Sequence, residues 1–214
     1  MAGARFVIAI DGPAGAGKGT MARRLADHFR LNLLDTGLTY RAVAHHMLRE
    51  GLDLGDEAAA VAAARAVDLG SLDREVLSQH AVGEAASRVA VIPAVRRVLV
   101  DKQREFSRRS PGAVLDGRDI GTVVFPDADV KLFVTASPEE RARRRFLELH
   151  GRGIAADRDQ VLAEIRDRDA QDANRPVAPL KPAPDAITID TTTLDADAAF
   201  AAALAEIEQR LADR

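Results

Sequence analysis

The residues that point most clearly to chemistry lie near the start of the chain, in a glycine-rich turn. It reads Gly12-Pro13-Ala14-Gly15-Ala16-Gly17-Lys18-Gly19-Thr20, between an apolar run and a helical pattern. Glycines let backbone N–H groups curl around an anion without a Cβ clash. A Gly-x4-Gly-Lys turn between a strand and a helix is typical of a phosphate-binding loop. The sequence therefore predicts that this segment binds the phosphates of a nucleoside triphosphate.

The hydroxyl that usually follows the lysine of such a loop is displaced by one position. Gly19 stands directly after Lys18, and the hydroxyl comes at Thr20. A hydroxyl is an oxygen ligand of the kind that Mg²⁺ accepts. We therefore expect Thr20 to hold the metal, directly or through a water molecule.

A second cluster of charges follows another apolar run. Asp116-Gly117-Arg118-Asp119 places two carboxylates and a guanidinium around a glycine. A carboxylate beside a phosphate can orient the water molecules on Mg²⁺, and an arginine can bind a phosphate with paired hydrogen bonds. The alternative is a turn whose charges pair with one another. The position at a predicted strand end favours a functional role, because ligands of open α/β sheets bind there.

Two groups of arginines have interpretations that their spacing alone leaves open. Arg168, Asp172 and Arg175 share one helix face, where they could bind a ligand or form a surface ion-pair ladder. A basic run over residues 141–145 leads to Gly151-Arg152-Gly153. That run suits either a flap that closes over phosphates or a solvated helix face.

Alternating apolar strands and helices must position these residues. The predicted strands span residues 6–10, 31–35, 113–115, 130–134 and 186–190. Strands that are nearly all apolar and alternate with helices are typical of a parallel sheet with helices on both faces. The predicted fold class is therefore α/β, a P-loop NTPase fold with a five-stranded parallel sheet.

The helical patterns are clearest in the second half of the chain. We predict one short helix within residues 53–70 and two helices within residues 72–107, separated near Pro93. Ser137 and Glu140 have the spacing of a capping box at the start of another helix. In the last helix Phe200, Leu204, Ile207 and Leu211 form one apolar stripe, which we expect to face the core.

The composition is typical of one globular domain, which we expect to span residues 1–214. Hydrophobic residues make up 47% and charged residues 29%, and no cysteine is present. The net charge of −3 gives no reason to expect nucleic-acid binding, and no apolar run approaches the ~20 residues that span a membrane. We expect no signal peptide, because residues 1–5 run directly into the first predicted strand. We expect a cytoplasmic monomer that acts on small molecules.

Together these motifs resemble the bacterial cytidylate kinases, which are nucleoside monophosphate kinases. The matching stretches are residues 10–20, residues 34–41, residues 116–126 and residues 168–175, and the likeness covers nearly the whole chain. The resemblance implies ATP-dependent, Mg²⁺-assisted phosphorylation of CMP and dCMP to CDP and dCDP, without a covalent intermediate, in pyrimidine nucleotide metabolism.

The resemblance also implies roles for individual residues. The loop from Gly12 to Thr20 would hold ATP, and the catalytic groups would be Lys18, Arg118 and Arg168, with Asp116 orienting the waters of the metal. CMP would be bound by Thr36, Arg41, Ser87, Arg96, Gly117, Arg118, Asp119, Arg168, Asp172 and Arg175. Of these, Ser87, Arg96 and Asp119 would recognise the cytosine, with Thr36 nearby. On this basis the face over residues 168–175 is a binding face.

The same resemblance divides the chain into functional parts. A core would comprise residues 1–52, 84–140 and 176–214, with an NMP-binding segment at residues 53–83 and a helical lid at residues 145–165. Longer members of the family carry a small β-rich insertion in the NMP-binding region. Because residues 53–83 are short and helical in pattern, we expect this segment to be reduced here.

Hydrogen-bonding chemistry connects Asp119 to the choice of base. Cytosine presents an amino donor at C4 where uracil presents an acceptor, so a carboxylate favours cytosine. Two alternatives remain open: a kinase of the same fold that acts on AMP or shikimate, and an ATP-binding module without turnover. A GTP-dependent switch protein is disfavoured, because the guanine-reading Asn-Lys-x-Asp does not occur in the sequence.

Overall fold

The computed structural model, which describes residues 6–109 and 111–212, is built around a parallel sheet of five strands. The strands are β1 (Phe6–Asp11), β2 (Asn32–Asp35), β3 (Gly112–Gly117), β4 (Val130–Thr135) and β5 (Ile187–Asp190). Their spatial order is β2-β3-β1-β4-β5, and every neighbouring pair is parallel. The predicted sheet is confirmed. The expectation of no signal peptide concerns residues 1–5, which lie outside the described ranges.

Helices connect the strands. They are α1 (Lys18–Phe29), α2 (Thr36–Arg49), α3 (Glu57–Ala66), α4 (Arg74–Leu77), α5 (His80–Val89), α6 (Pro93–Ser107), α7 (Pro138–Gly151), α8 (Arg158–Ala173) and α9 (Ala196–Ala212). The Ser137 hydroxyl accepts a hydrogen bond from the Glu140 N–H at 3.2 Å, so the N-cap of α7 is present. The reciprocal half of the predicted capping box is replaced, because the Ser137 N–H donates to Oγ1 of Thr192 at 2.9 Å. Within the described ranges no helix combines the length and apolar character that a bilayer crossing needs.

Two elements differ from the sequence prediction. Residues 72–107 contain three helices rather than two, because α4 forms a single additional turn. The side chain of Asp73 caps that turn by accepting from the N–H groups of Glu75 and Val76. After β3 the chain forms a wide π-helical turn over Ile120–Val124, which was also not predicted. Neither element is long enough to show a periodic apolar pattern.

The core lies on both faces of the sheet, as the alternation within β1 requires. Ile8 and Ile10 pack in the cluster that contains α1 and α9, whereas Val7 and Ala9 pack on the opposite side. In α9 the fully buried residues are Ala199, Ala203 and Ile207. The predicted stripe is confirmed for Ile207, which is buried in the core cluster, and for Phe200 and Leu211, which are partly buried and pack against it. Leu204 is partly buried. Small alanines face the sheet because they permit the closest approach of the helix.

The segment at residues 53–83, all of which the structure describes, consists of helices and loops without a strand. Its principal helix, α3, packs through Ala60, Ala63 and Ala64 in a core that also contains residues of α2, α5 and α6. The helical character that the sequence pattern indicates is thus observed.

Candidate active site

Charged residues gather where the first three strands in space end. Asp35 of β2 is in register with Asp116 of β3, and Asp11 of β1 is in register with Gly117. The phosphate-binding loop follows β1 directly, so these carboxylates lie beside it. The strand-end residues singled out from the sequence therefore meet at one edge of the sheet.

The loop between β1 and α1 requires glycine at its first position. Gly12 has φ +146°, and a Cβ there would lie 1.9 Å from the carbonyl oxygen of Val134. At the other end, Gly17 precedes α1 without a side-chain cap, and the first turn of α1 contains no acidic residue. The N–H groups of that turn can therefore bind an anion, which the helix dipole also favours.

Lys18 lies at the start of α1 and is almost fully buried, at 6% exposure. Its Nζ donates to the carbonyl oxygen of Pro13 at 2.8 Å and lies 3.9 Å from Oδ1 of Asp116. Burial and the nearby Arg118 guanidinium lower the pKa of Lys18 to about 8. Burial raises the pKa of Asp116 to about 6, against the attraction of Lys18. The ammonium thus stays close to the loop.

Thr20 and Asp116 differ in what they face. Thr20 is exposed and lines a cavity that also borders Ala16, Arg144 and Thr191. Asp116 lies against Gly19: a Cβ at that glycine would be 3.4 Å from Oδ2 of Asp116. The displacement of the hydroxyl from position 19 to position 20 therefore leaves Asp116 beside the place that the usual hydroxyl would occupy.

A second cavity contains nearly all the residues expected to bind the phosphate acceptor. It is lined by Thr36, Arg41, Ser87, Arg96, Gly117, Arg118, Asp119, Arg168 and Arg175, among others. Of the expected set only Asp172 is absent from the lining, and it is buried behind Arg118 and Arg175. Residues from widely separated parts of the sequence, from Thr36 to Arg175, thus line one cavity.

A buried ion pair lies in the wall of this acceptor cavity. Nη2 of Arg96 donates to Oδ2 of Asp119 at 2.5 Å, and both side chains are at most 8% exposed. Arg96 also donates to the carbonyl oxygen of Ala90 at 3.2 Å, and its guanidinium lies 5.5 Å from the ring centre of Tyr40. Burial raises the pKa of Asp119, although Arg96 opposes the effect. Among the described residues, Arg96 is the hydrogen-bond donor to Asp119, which leaves Oδ1 for a ligand.

Thr36 and Ser87 contribute hydroxyl groups to the same cavity. Oγ1 of Thr36 donates to the carbonyl oxygen of Asp116 at 2.8 Å, which ties α2 to the end of β3. A Cβ at Gly117 would lie 2.6 Å from that Oγ1, so glycine is required there. Ser87 is exposed on α5, and its hydroxyl donates to the carbonyl oxygen of Gly83 at 3.3 Å.

Two arginines share a single carboxylate, and a third arginine lies near them. Nε of Arg118 donates to Oδ2 of Asp172 at 2.9 Å, and Nη2 of Arg175 donates to Oδ1. Although burial opposes ionisation of Asp172, Arg118 and Arg175 lower its pKa. Arg168 faces the cleft, where desolvation and the nearby Arg118 lower its pKa to about 10. Because α8 ends at Ala173, Arg175 lies just beyond the helix, and the expectation that all three residues share one helix face is wrong. Arg168 and Arg175 nevertheless line the acceptor cavity and form a positively charged wall, not a surface ladder.

Arg41 connects this wall to the phosphate-binding loop. Its Nη1 donates to the carbonyl oxygen of Leu77 at 2.9 Å, and burial lowers its pKa. A wider cleft is lined by Ala14 and Gly15 of the loop together with Arg41, Arg145 and Arg168. The loop and the arginines thus border the same space.

Sequence reasoning missed Asp11, which ends β1. Its Oδ1 accepts from the N–H of Ile120 at 2.8 Å and its Oδ2 accepts from the N–H of Gly121 at 2.7 Å. These bonds hold the π-helical turn that follows Asp119. Burial raises the pKa of Asp11 to about 6, despite the two N–H donors. Its place at a strand end was the signal that could have identified it.

The basic run of α7 also divides in a way that the sequence does not reveal. Arg143 and Arg144 both pair with Glu140, and Arg144 additionally donates to Oγ1 of Thr191 at 3.0 Å. Arg141 is buried against the phosphate-binding loop, whereas Arg145 faces the cleft. Residues that are neighbours in sequence therefore have different surroundings.

The chain is similar to known proteins over nearly its whole length. The cytidylate kinase family model matches residues 8–209. Proteins named cytidylate kinase from Mesorhizobium japonicum and Brucella suis biovar 1 are 61% and 58% identical over 209 residues. Those alignments cover 98% of this chain and 97% and 95% of the two relatives.

A solved structure of an uncharacterized protein from Eubacterium ventriosum has the same fold. It superimposes with a TM-score of 0.54 at 16% identity, covering 96% of this chain and 99% of that one. The fold, the phosphate-binding loop and the similarity to curated relatives agree with one another. The chain therefore belongs to the cytidylate kinase family, and it is a phosphate-transferring enzyme.

Proposed function

We propose that this enzyme transfers the γ-phosphate of ATP to CMP and dCMP and yields CDP and dCDP. The observation that supports this most directly is the shared cleft, in which the loop residues Ala14 and Gly15 face Arg41 and Arg168. A donor phosphate on the loop and an acceptor phosphate on the arginines would therefore be neighbours. The reaction would belong to pyrimidine nucleotide metabolism in the cytoplasm, with the protein acting as a monomer.

The charges of the acceptor cavity suit a phosphate monoester. Arg118 and Arg175 both bind Asp172, and Arg168 lies near them, so the positive charge exceeds the negative charge. A phosphate dianion would balance it and accept paired hydrogen bonds. The second pKa of such a phosphate is about 6, so the nucleophile is largely ionised at pH 7 and needs no general base.

The donor side would use Lys18 and the backbone of the loop. The hydrogen bond to the carbonyl oxygen of Pro13 holds Lys18 near the loop. Its ammonium would bind the outer phosphates of ATP. The cavity beside Ala16 and Thr20, which Arg144 and Thr191 also line, would accept the nucleoside of ATP. Phosphoryl transfer depends mainly on alignment and charge stabilisation, and Lys18, Arg118 and Arg168 would supply both.

The strand-end carboxylates suit a Mg²⁺ ion bound with ATP. Asp35 and Asp116 are in register on adjacent strands, and oxygen atoms are the ligands that Mg²⁺ prefers. Asp116, which lies against Gly19, would orient the metal's water molecules, whereas Thr20 faces the cavity proposed for the nucleoside. The strand-end carboxylates would thus hold the ion beside ATP, and its positive charge would offset the negative charge that develops during transfer.

Cytosine recognition is assigned to the buried pair of the acceptor cavity. Arg96 holds one oxygen of Asp119 at 2.5 Å, so the other carboxylate oxygen can accept from an exocyclic amino group. Uracil presents a carbonyl at that position and would be repelled. Ser87 and Thr36 would add hydroxyl contacts, with Thr36 already bound to the carbonyl oxygen of Asp116.

Closure is assigned to the lid at residues 145–165, which joins the end of α7 to the start of α8. Gly153 has φ +71°, so the connection contains a left-handed position. Within the lid, Leu149 of α7 packs in one apolar cluster with Val161 and Ile165 of α8, which holds the two helix ends together. The helical segment at residues 53–83 would be the reduced NMP-binding part.

The experiment that tests this function measures ADP formation from MgATP with CMP, dCMP, UMP, AMP and shikimate offered separately. Fast turnover with CMP and dCMP and slow or no turnover with the others is expected. Preference for AMP or shikimate would retain the fold and the phosphate-binding loop but reject the base-recognition roles. No turnover with any of the five would indicate an ATP-binding module.

A further inference from the structure

Arg141, in the first turn of α7, is a buried arginine with contacts to three parts of the site. It is 2% exposed. Its Nε donates to the carbonyl oxygen of Ala136 at 2.9 Å, and its Nη1 donates to the carbonyl oxygen of Ala14 at 3.2 Å. Nη1 and Nη2 donate to the two oxygens of Asp169 at 2.9 and 2.5 Å. The guanidinium thus joins the end of β4, the phosphate-binding loop and α8.

The geometry of this contact is specific to arginine and to a carboxylate at position 169. Paired hydrogen bonds from a planar guanidinium to both carboxylate oxygens fix the relative orientation of the two groups. A lysine would keep the charge but could not make this paired contact. The pair also approaches the loop closely, since a Cβ at Gly15 would lie 3.3 Å from Cβ of Arg141.

Asp169 belongs to the helix that carries the acceptor-side charges. It follows Arg168, which faces the cleft, and it precedes Asp172 by less than one helical turn. Neither Arg141 nor Asp169 is part of the lining of the acceptor cavity or of the wider cleft. The pair can therefore influence substrate only through the elements that it joins.

We propose that the Arg141–Asp169 pair is a positioning contact that sets α8 against the phosphate-binding loop. It holds Arg168 and Asp172 at a fixed distance from the loop, so that donor and acceptor phosphates are aligned for transfer. This inference rests on the proposed function of the cleft. A misalignment of about 1 Å can lower a rate by about 10²-fold, so a small displacement of α8 is enough to be measured.

A second ion pair between the same two helices provides a matched control. Nη2 of Arg166 on α8 lies 2.8 Å from Oε1 of Glu139 on α7, and both side chains are more than half exposed. It joins α7 to α8 without contacting the phosphate-binding loop, and exposed pairs of this kind contribute little stability. Loss of this pair tests whether any ion pair between α7 and α8 affects transfer, or only the pair that also contacts the phosphate-binding loop.

The test compares Asp169→Glu, Asp169→Asn and the control Arg166→Gln. The expected result is a loss of kcat of about tenfold or more in both Asp169 variants, with KM for ATP and CMP changed less than kcat. Arg166→Gln is expected to retain the wild-type kcat. Asp169→Glu keeps the negative charge and displaces the carboxylate by one methylene, so a role in charge balance alone predicts wild-type kcat for it.

Urea unfolding of the same variants separates positioning from loss of fold. Asp169→Glu is expected to unfold near the wild-type urea midpoint, so that its lower kcat reflects misalignment. Wild-type kcat in a folded Asp169→Glu enzyme would overturn the inference, as would an equal loss in Arg166→Gln. If the wild-type enzyme itself does not phosphorylate CMP, the proposed function fails, and that result is distinct from unchanged variants of an active enzyme.

Discussion

Replacement of Asp119 by asparagine is expected to alter base choice in a direction that the structure determines. Arg96 can only donate, and it lies 2.5 Å from Oδ2 of Asp119. In Asp119→Asn the amide oxygen must therefore face Arg96, and the amide nitrogen takes the place of Oδ1. The group that faces the base changes from an acceptor to a donor. Cytosine then meets a donor opposite its amino group, while uracil gains a partner for its carbonyl.

The size of the change in base preference follows from the hydrogen bonds that Asp119→Asn loses with CMP and gains with UMP. A hydrogen bond to a charged group contributes about 1.5–3 kcal/mol, and loss of it lowers kcat/KM for CMP by about 10- to 150-fold. A neutral hydrogen bond contributes about 0.5–1.5 kcal/mol, so kcat/KM for UMP rises by about 2- to 10-fold. The ratio of the two values is thus expected to fall by about 20-fold or more.

The assay is ADP formation at varied CMP and UMP under identical conditions. Asp127→Asn is the matched control, because it makes the same chemical change at an exposed position of the following loop and should leave the ratio unchanged. Urea unfolding of both variants checks that the fold is retained. A folded Asp119→Asn enzyme with the wild-type ratio would show that Asp119 does not contact the base.

Three further predictions concern the charges of the site. Lys18→Met should lower kcat by about 10²-fold or more at unchanged urea midpoint, and wild-type kcat would exclude Lys18 from catalysis. Asp172→Asn leaves Arg118 and Arg175 without their carboxylate, so the free energy of unfolding should fall by about 3 kcal/mol. Sulfate should bind the two arginines and restore part of this loss. A urea midpoint of the variant that does not depend on sulfate would contradict this prediction. Burial raises the pKa of Asp11 to about 6 from 3.8, so the folded state binds the proton more tightly and wild-type stability falls as pH rises between those values. Relative to Asp11→Asn, the wild-type unfolding free energy should fall by up to ~3 kcal/mol from pH 4 to pH 7, and parallel pH profiles in urea unfolding would refute the shift.

Local sequence patterns were sufficient for the strands and the longer helices of this fold. The central strands β1, β3 and β4 were predicted because they are largely buried and therefore mostly apolar. The edge strands β2 and β5 are only partly buried, but they still contain enough apolar residues to be recognised. The phosphate-binding loop was predicted because its chemistry requires particular residues at adjacent positions. By contrast, the π-helical turn depends on Asp11, which lies 109 residues from Ile120. No local pattern contains that contact.

In the acceptor cavity, too, local sequence identified the residues, but contacts with distant parts of the chain decided their surroundings. The types and spacing of Asp116–Asp119 and residues 168–175, together with the family resemblance, identified its candidate residues. Whether residues 168–175 form a surface ladder or a cavity wall depends on Arg118, whose bond to Asp172 spans 54 residues. Ion pairs and burial are set by what the rest of the chain brings near.

The basic run of α7 shows most directly what local sequence cannot predict, which is the surroundings of each side chain. The sequence alone determined the strands, the phosphate-binding loop and the family, and it also determined that a cluster of arginines begins this helix. Only the tertiary structure decided that Arg141 is buried between the loop and Asp169, while Arg143 pairs with Glu140 at the surface. The physical reason is that a side chain's local sequence sets its helix and its charge, whereas its solvation and partners depend on elements distant in the chain.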